Sequence, residues 1–206
     1  LGANAGSGIS STGNQNVNIG KDAGTPITTA DDNTNVGFDA GKATTTGYNN
    51  CFIGSGAGKS NIEEHDNTFV GFKSGFTSGT ASGEITAHFN TFVGSQSGYT
   101  NGNGTLNTFI GYKAGYTNGG GNENTFVGDH AGEASTASYN TFLGESSGSK
   151  NTSGQKNTYV GNSTGVWNTT GALNCIMGYE AGYGASGSAF SDNSIFLHTL
   201  YDTSVP

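Results

Sequence analysis

Apolar side chains in this chain do not gather into blocks; they return in a fixed phrase. Asn107-Thr108-Phe109-Ile110-Gly111-Tyr112-Lys113-Ala114-Gly115 gives it in full: Asn, a small residue, Phe, a branched aliphatic, Gly, two variable positions, Ala or Ser, and Gly again. Its Asn recurs at Asn16, Asn33, Asn50, Asn67, Asn90, Asn107, Asn124, Asn140, Asn157 and Asn174, with a degenerate copy at Asn193. The steps are 17, 17, 17, 23, 17, 17, 16, 17, 17 and 19 residues. Alternation over four residues predicts a short strand. A 17-residue period is one coil of a β-solenoid; it is too short for paired helices, and the glycine content disfavours helix.

The glycines punctuate each coil. The first ends the strand, and the second opens a less regular stretch such as Tyr99-Thr100 or Tyr116-Thr117. Two short strands and two turns per coil predict an all-β parallel β-roll of about eleven coils. The second and fourth positions of the phrase share one face, with Thr, Val or Cys in one column and Val, Ile, Leu or Met in the other. Their restricted variation predicts that this face is the interior. The third position then points outward, as a ladder of Phe52, Phe69, Phe92, Phe109, Phe126, Phe142 and Tyr159, with Asn18 and Asn35 below it. An exposed Phe ladder is an aggregation hazard and must be covered. Three chains around one axis would cover it, so these residues are the expected interface of a homotrimer.

Composition narrows the partners. The net charge is −8 with no basic cluster, which excludes an electrostatic footprint for nucleic acid or an anionic membrane. No apolar run approaches the roughly 18 residues of a membrane span. The chain is rich in Asn, Thr, Ser and 37 glycines, yet the regular placement of apolar residues argues against disorder. Leu1-Gly2-Ala3-Asn4-Ala5-Gly6 matches the second half of the phrase, so the chain is expected to be part of something longer. Residues 1–192 form the array, and 193–206 a degenerate last coil and cap or junction, with Leu197 where Gly should stand.

The Asn-x-x-Val-Gly-x-x-Ala-Gly coils resemble the head repeats of trimeric autotransporter adhesins, whose coils form a left-handed β-roll trimer. They resemble still more closely the Asn-Thr-Phe-Val-Gly arrays of trimeric bacterial surface fibres and phage tail-fibre-like proteins. The resemblance implies a left-handed, trimeric, structural or adhesive fibre segment, extracellular, at a cell surface or in a virion tail fibre. It departs in coil length and in carrying Phe where those heads carry Ala.

Several residues invite chemistry. Half-exposed aromatics on the turns could stack on sugars, and Tyr99, Tyr112, Tyr116, Trp167 and Tyr183 are the candidate carbohydrate ligands. His65 and His88 each precede a phrase Asn by two residues, a weak metal candidate that reads more simply as solvated turn residues. Cys51 and Cys175 share a column seven coils apart. At ~4.8 Å per rung that is about 34 Å, so they are expected as buried thiols standing in for Thr. The 23-residue step puts six extra residues around 77–88, a candidate binding loop. No Ser/His/Asp set, paired carboxylates or phosphate loop recurs, so no enzyme and no cofactor are expected. Hexapeptide-type acyltransferases need hexads that 17 does not supply. The competing assembly is a subunit stacking head to tail. Ice binding is disfavoured while the Thr ladder points inward; an outward ladder would reverse that.

Overall fold

A computed structural model describes residues 2–8, 15–79, 87–183 and 191–197. The core of the predicted insertion, residues 80–86, and most of the predicted cap, 198–206, lie outside the described residues. The chain forms one sheet of eleven parallel strands in sequence order: β1 (Val17–Ile19), β2 (Thr34–Val36), β3 (Cys51–Ile53), β4 (Thr68–Val70), β5 (Thr91–Val93), β6 (Thr108–Ile110), β7 (Thr125–Val127), β8 (Thr141–Leu143), β9 (Thr158–Val160), β10 (Cys175–Met177) and β11 (Ile195–Leu197). It is a β-solenoid, as the period predicts. Register never slips: Thr68 pairs with Thr91 across the 23-residue step just as Thr91 pairs with Thr108 across 17.

Each coil has one three-residue strand rather than two. Opposite the sheet, an isolated bridge, Ser78 with Gly102, is the one strand-like pairing among the described residues. Rung-to-rung bonds continue there without strand geometry, for example from Thr100 N–H to Tyr116 O at 2.8 Å. The cause is local. Gly115 is left-handed (φ 59°), and Asn118 Nδ2 donates to Gly121 O, so the backbone curls instead of extending.

The two faces of the strand are the reverse of the sequence expectation. Phe52, Phe69, Phe92, Phe109, Phe126, Phe142 and Tyr159 are fully buried inside a single roll. Their rings stack along the axis, Phe109 lying 4.8 Å from Phe92 and 4.9 Å from Phe126. They are therefore interior residues and not an uncovered ladder that needs a partner chain. Space is the reason. The residues facing them across the coil are small, Ala57, Ser74, Ser97, Ala114, Ala131 and Ser147, all buried. A Cβ on Gly115 would stand 2.4 Å from the Phe109 ring. Such a cavity takes a flat ring on every rung, whereas Thr with Val would leave it underfilled. The first glycine answers a different need: at Gly111 (φ 138°) a Cβ would lie 2.3 Å from Gly128 O on the next rung.

Asn holds the coils together. From Asn16 to Asn157 each phrase Asn Oδ1 accepts the backbone N–H of the Asn one coil on, at 2.9–3.0 Å. Ser194 N–H closes the series on Asn174 at 2.8 Å, so Ser194 rather than Asn193 holds the Asn position of the last rung, and Leu197 pairs with Met177 in the fourth position instead of standing where Gly should. The phrase Asn Nδ2 donates to a turn carbonyl in every phrase but those of Asn67 and Asn174, as Asn107 does to Gly121 O at 2.8 Å. Eight of the ten phrase amides are thereby paired on both sides. At the first rungs polar groups replace Phe, and Asn35 Nδ2 donates to Asn18 Oδ1 at 2.9 Å inside the roll.

Candidate functional site

With Phe inside, the strand's other face turns outward. Thr108 is half-buried and Ile110 is 40% exposed, a pattern kept along the sheet. The described residues expose twenty large apolar side chains. All but Tyr48, Tyr183 and Phe196 fall in four columns around the strand. These are the residue before the phrase Asn (Phe89, Leu106, Tyr139, Leu173), its second position (Val17, Ile195), its fourth (such as Ile53, Val93 and Ile110) and the residue after the first Gly (Phe38, Phe72, Tyr112, Tyr179). Exposure grows at the last strand, where Ile195 reaches 75%. Only the fourth column is apolar on every rung; the columns that flank it alternate apolar residues with polar or charged ones such as Asp66, Glu123, Asp129 and Glu145. Scattered exposed apolar residues are ordinary, but an unbroken apolar column along a sheet is not.

Cys51 and Cys175 belong to the outward Thr column and are half-exposed free thiols, not buried ones. Partial burial pushes the Cys51 thiol up from its ordinary value.

The sugar-stacking candidates separate. Tyr99 lies flat between Phe76, at 5.1 Å, and Tyr116, at 5.0 Å, so its faces are taken by its neighbours. Lys113 covers Tyr112 at 5.3 Å and Tyr116 at 5.4 Å, and His130 meets Tyr112 edge-on. Their outward edges and hydroxyls, rather than their faces, are what they offer. Trp167 is half-buried and Tyr183 is exposed, at rungs remote from this group.

His65 stacks between Tyr48 and His88, at 4.6 and 4.9 Å, and its Nδ1 lies 2.9 Å from Asp66 Oδ2. That hydrogen bond holds the Asp66 carboxyl below its usual range. Burial, then the neighbouring His65, lowers His88. The two rings face each other rather than converge on a point, and among the described residues no three His, Cys, Asp or Glu side chains form a metal-sized group.

Two carboxylates are buried with opposite outcomes. Burial pushes Asp39 up, but hydrogen bonds from Lys59 and Lys42, each at 2.9 Å, outweigh it and hold the group below its usual value. Glu64 has no cation among the described residues: burial raises it, only partly opposed by the Ile62 and Glu63 N–H groups on Oε2. It occupies the turn position where other coils carry Gly or Ala, and its carboxylate fills the space over Gly79, at the root of the insertion.

No family model, curated protein or solved structure matches this chain. Among the described residues no helix is long and apolar enough to cross a membrane. The Asn ladder went unread at the sequence level as a function of Asn. Its signal was the one side chain that never varied in ten successive phrases.

Proposed function

We propose that this chain is a non-enzymatic, rigid segment of an extracellular trimeric fibre, with protomers joined through the outward Thr and Val/Ile face. The carrying observation is the outward fourth-position column, apolar on all eleven rungs and flanked on part of them by further exposed apolar residues. Eleven rungs at ~4.8 Å make this face about 50 Å long, and six residue steps make it at most ~20 Å wide. Its footprint of at most about 1,000 Å² is of the order of the ~800 Å² per partner of a standard stable interface. The interface therefore moves from the Phe ladder to the columns on either side of it. Threefold symmetry, left-handedness and surface location follow from the resemblance to fibre repeats, and so does a carbohydrate or cell-surface partner.

Sedimentation equilibrium tests the assembly. The expected result is a trimer that Val93→Lys with Ile110→Lys converts to a folded monomer. A monomeric parent chain at micromolar concentration would overturn the reading, and a mass that keeps growing with concentration would replace it with head-to-tail stacking.

One observation favours a second reading, ice binding. Thr68, Thr91, Thr108, Thr125, Thr141 and Thr158 form an unbroken outward ladder on six successive rungs. Against it, the neighbouring column is Val and Ile, whose exposed area gains more from a protein partner. Thermal hysteresis from a monomer would favour ice.

A further inference from the structure

One seam of the roll differs from its neighbours. The coil between β4 and β5 is 23 residues long, and Asn67, which opens it, is the only one of the first nine phrase Asn residues whose Nδ2 has no partner. At the corner of that seam two imidazoles lie face to face. His65, entering β4, and His88, entering β5, have centroids 4.9 Å apart and planes 10° from parallel. Phe89 meets the two edge-on, at 5.5 and 5.0 Å, and Tyr48 covers the far face of His65 at 4.6 Å. The backbone bond beside them is long, Phe89 N–H reaching His65 O at 3.4 Å. The ring stack is therefore a main contact of this corner.

The two histidines are not equivalent. His65 Nδ1 lies 2.9 Å from Asp66 Oδ2, so a proton on His65 gains a carboxylate. His88 Nδ1 is buried without a partner. Asp66 also acts on His88 through space, but its oxygens are engaged by His65 Nδ1 and Asn49 Nδ2. The coil above presents neutral groups: Thr105 Oγ1 and Leu106 N–H both donate to the His88 carbonyl. A proton on His88 would place a charged N–H where no acceptor lies, and a second cation flat against the first. Neutral, the stacked rings attract one another; both charged, they repel.

We propose that the seam between β4 and β5 is an acid-opened joint: protonation of His88 against His65 drives the two rings apart and frees the corner that they hold together with Phe89. The rod then has a point of give at one defined rung. The joint rests neither on the carbohydrate nor on the oligomer of the function proposed above. Its sense follows from the environment of His88. Burial and then His65 hold His88 below its ordinary value of 6.5, so the closed seam is fully stable above that value and weakens as pH falls toward the lowered one. A coil touches only its neighbours, so the opening shows in local exchange rather than in a global melt.

Amide exchange and histidine NMR on the whole chain test it. Phe89 and Asn90 N–H cross this seam, whereas Leu173 and Asn174 N–H cross a remote one. After correction for intrinsic exchange, protection at Phe89 and Asn90 should fall in acid, about tenfold for each pH unit by which His88 titrates below its ordinary value, while Leu173 and Asn174 hold. His65→Gln should bring the His88 titration back up toward the ordinary value. His88→Phe keeps a ring in the stack and takes no proton, so protection at Phe89 and Asn90 should lose its pH dependence. His130→Gln, at a remote rung beside Asp129, should leave that dependence unchanged. Titration of His88 at or above its ordinary value, protection at Phe89 and Asn90 that holds in acid, or an equal pH dependence in His88→Phe would each overturn the proposal. The parent chain's own titration and exchange decide it even where a variant fails to fold.

Discussion

Phe109→Ala tests the reversal of the two strand faces most directly. The ring is fully buried, stacked at 4.8 and 4.9 Å on its neighbours, and pressed against Gly115. Truncating a buried Phe costs ~3–5 kcal/mol, lost ring contacts included, and the two stacked neighbours place this site toward the upper end. A solenoid coil touches only the coils above and below it, so the loss should be local. Urea denaturation followed by circular dichroism should show the transition moving to lower urea. Limited proteolysis should open the coil between Asn101 and Asn124 first. Thr108→Ala, one residue away on the outer face, should cost within ~0.5 kcal/mol when the chain is monomeric. Should Phe109→Ala dissociate an oligomer while leaving the denaturation midpoint in place, Phe would belong outside and the packing described above would be wrong.

Two further substitutions probe the polar interior. Asn107→Ala removes the acceptor of Asn124 N–H, leaving that buried group unpaired at ~1–3 kcal/mol, while Gly121 O keeps its bond from Asn118 Nδ2; amide exchange at Asn124 should accelerate, and an unchanged rate would refute the ladder's role. Glu64→Gln should stabilise the chain at neutral pH. A carboxyl whose folded pKa is raised contributes fully below its unfolded value, and that contribution is lost as pH rises through the folded one. Thermal melts should therefore show the parent weakening between acid and neutral pH and the Gln variant weakening less, with the two converging in acid. A Gln variant less stable than the parent at neutral pH would contradict this.

Architecture was legible because the period and the strand phrase are printed in the sequence. The polarity of the strand was not. Alternation shows that Thr108 and Ile110 oppose Phe109 but carries no sign, and apolar residues occupy both faces. The sign was encoded elsewhere, in the Ala or Ser before the second glycine, whose small side chains leave room for one ring per rung. The predicted second strand failed for a related reason: its Tyr-Thr pairs look β-forming, but left-handed glycines and Asn118-type clamps bend that side into turns. The site was half legible. Tyr99, Tyr112 and Tyr116 were singled out by their turn positions, whereas the covering of their faces by Phe76, one another and Lys113 arises only when the rungs stack.

The unbroken register across the 23-residue step has a consequence for length. Whatever a coil adds in its turns, the strand and its Asn return to the same place, so the roll behaves as a ruler graduated in single rungs. Duplicating one whole coil would lengthen the rod by ~4.8 Å and leave the neighbouring rungs paired as they were. Reach is therefore a quantity this protein can change in small equal increments, independently of whatever its corners carry.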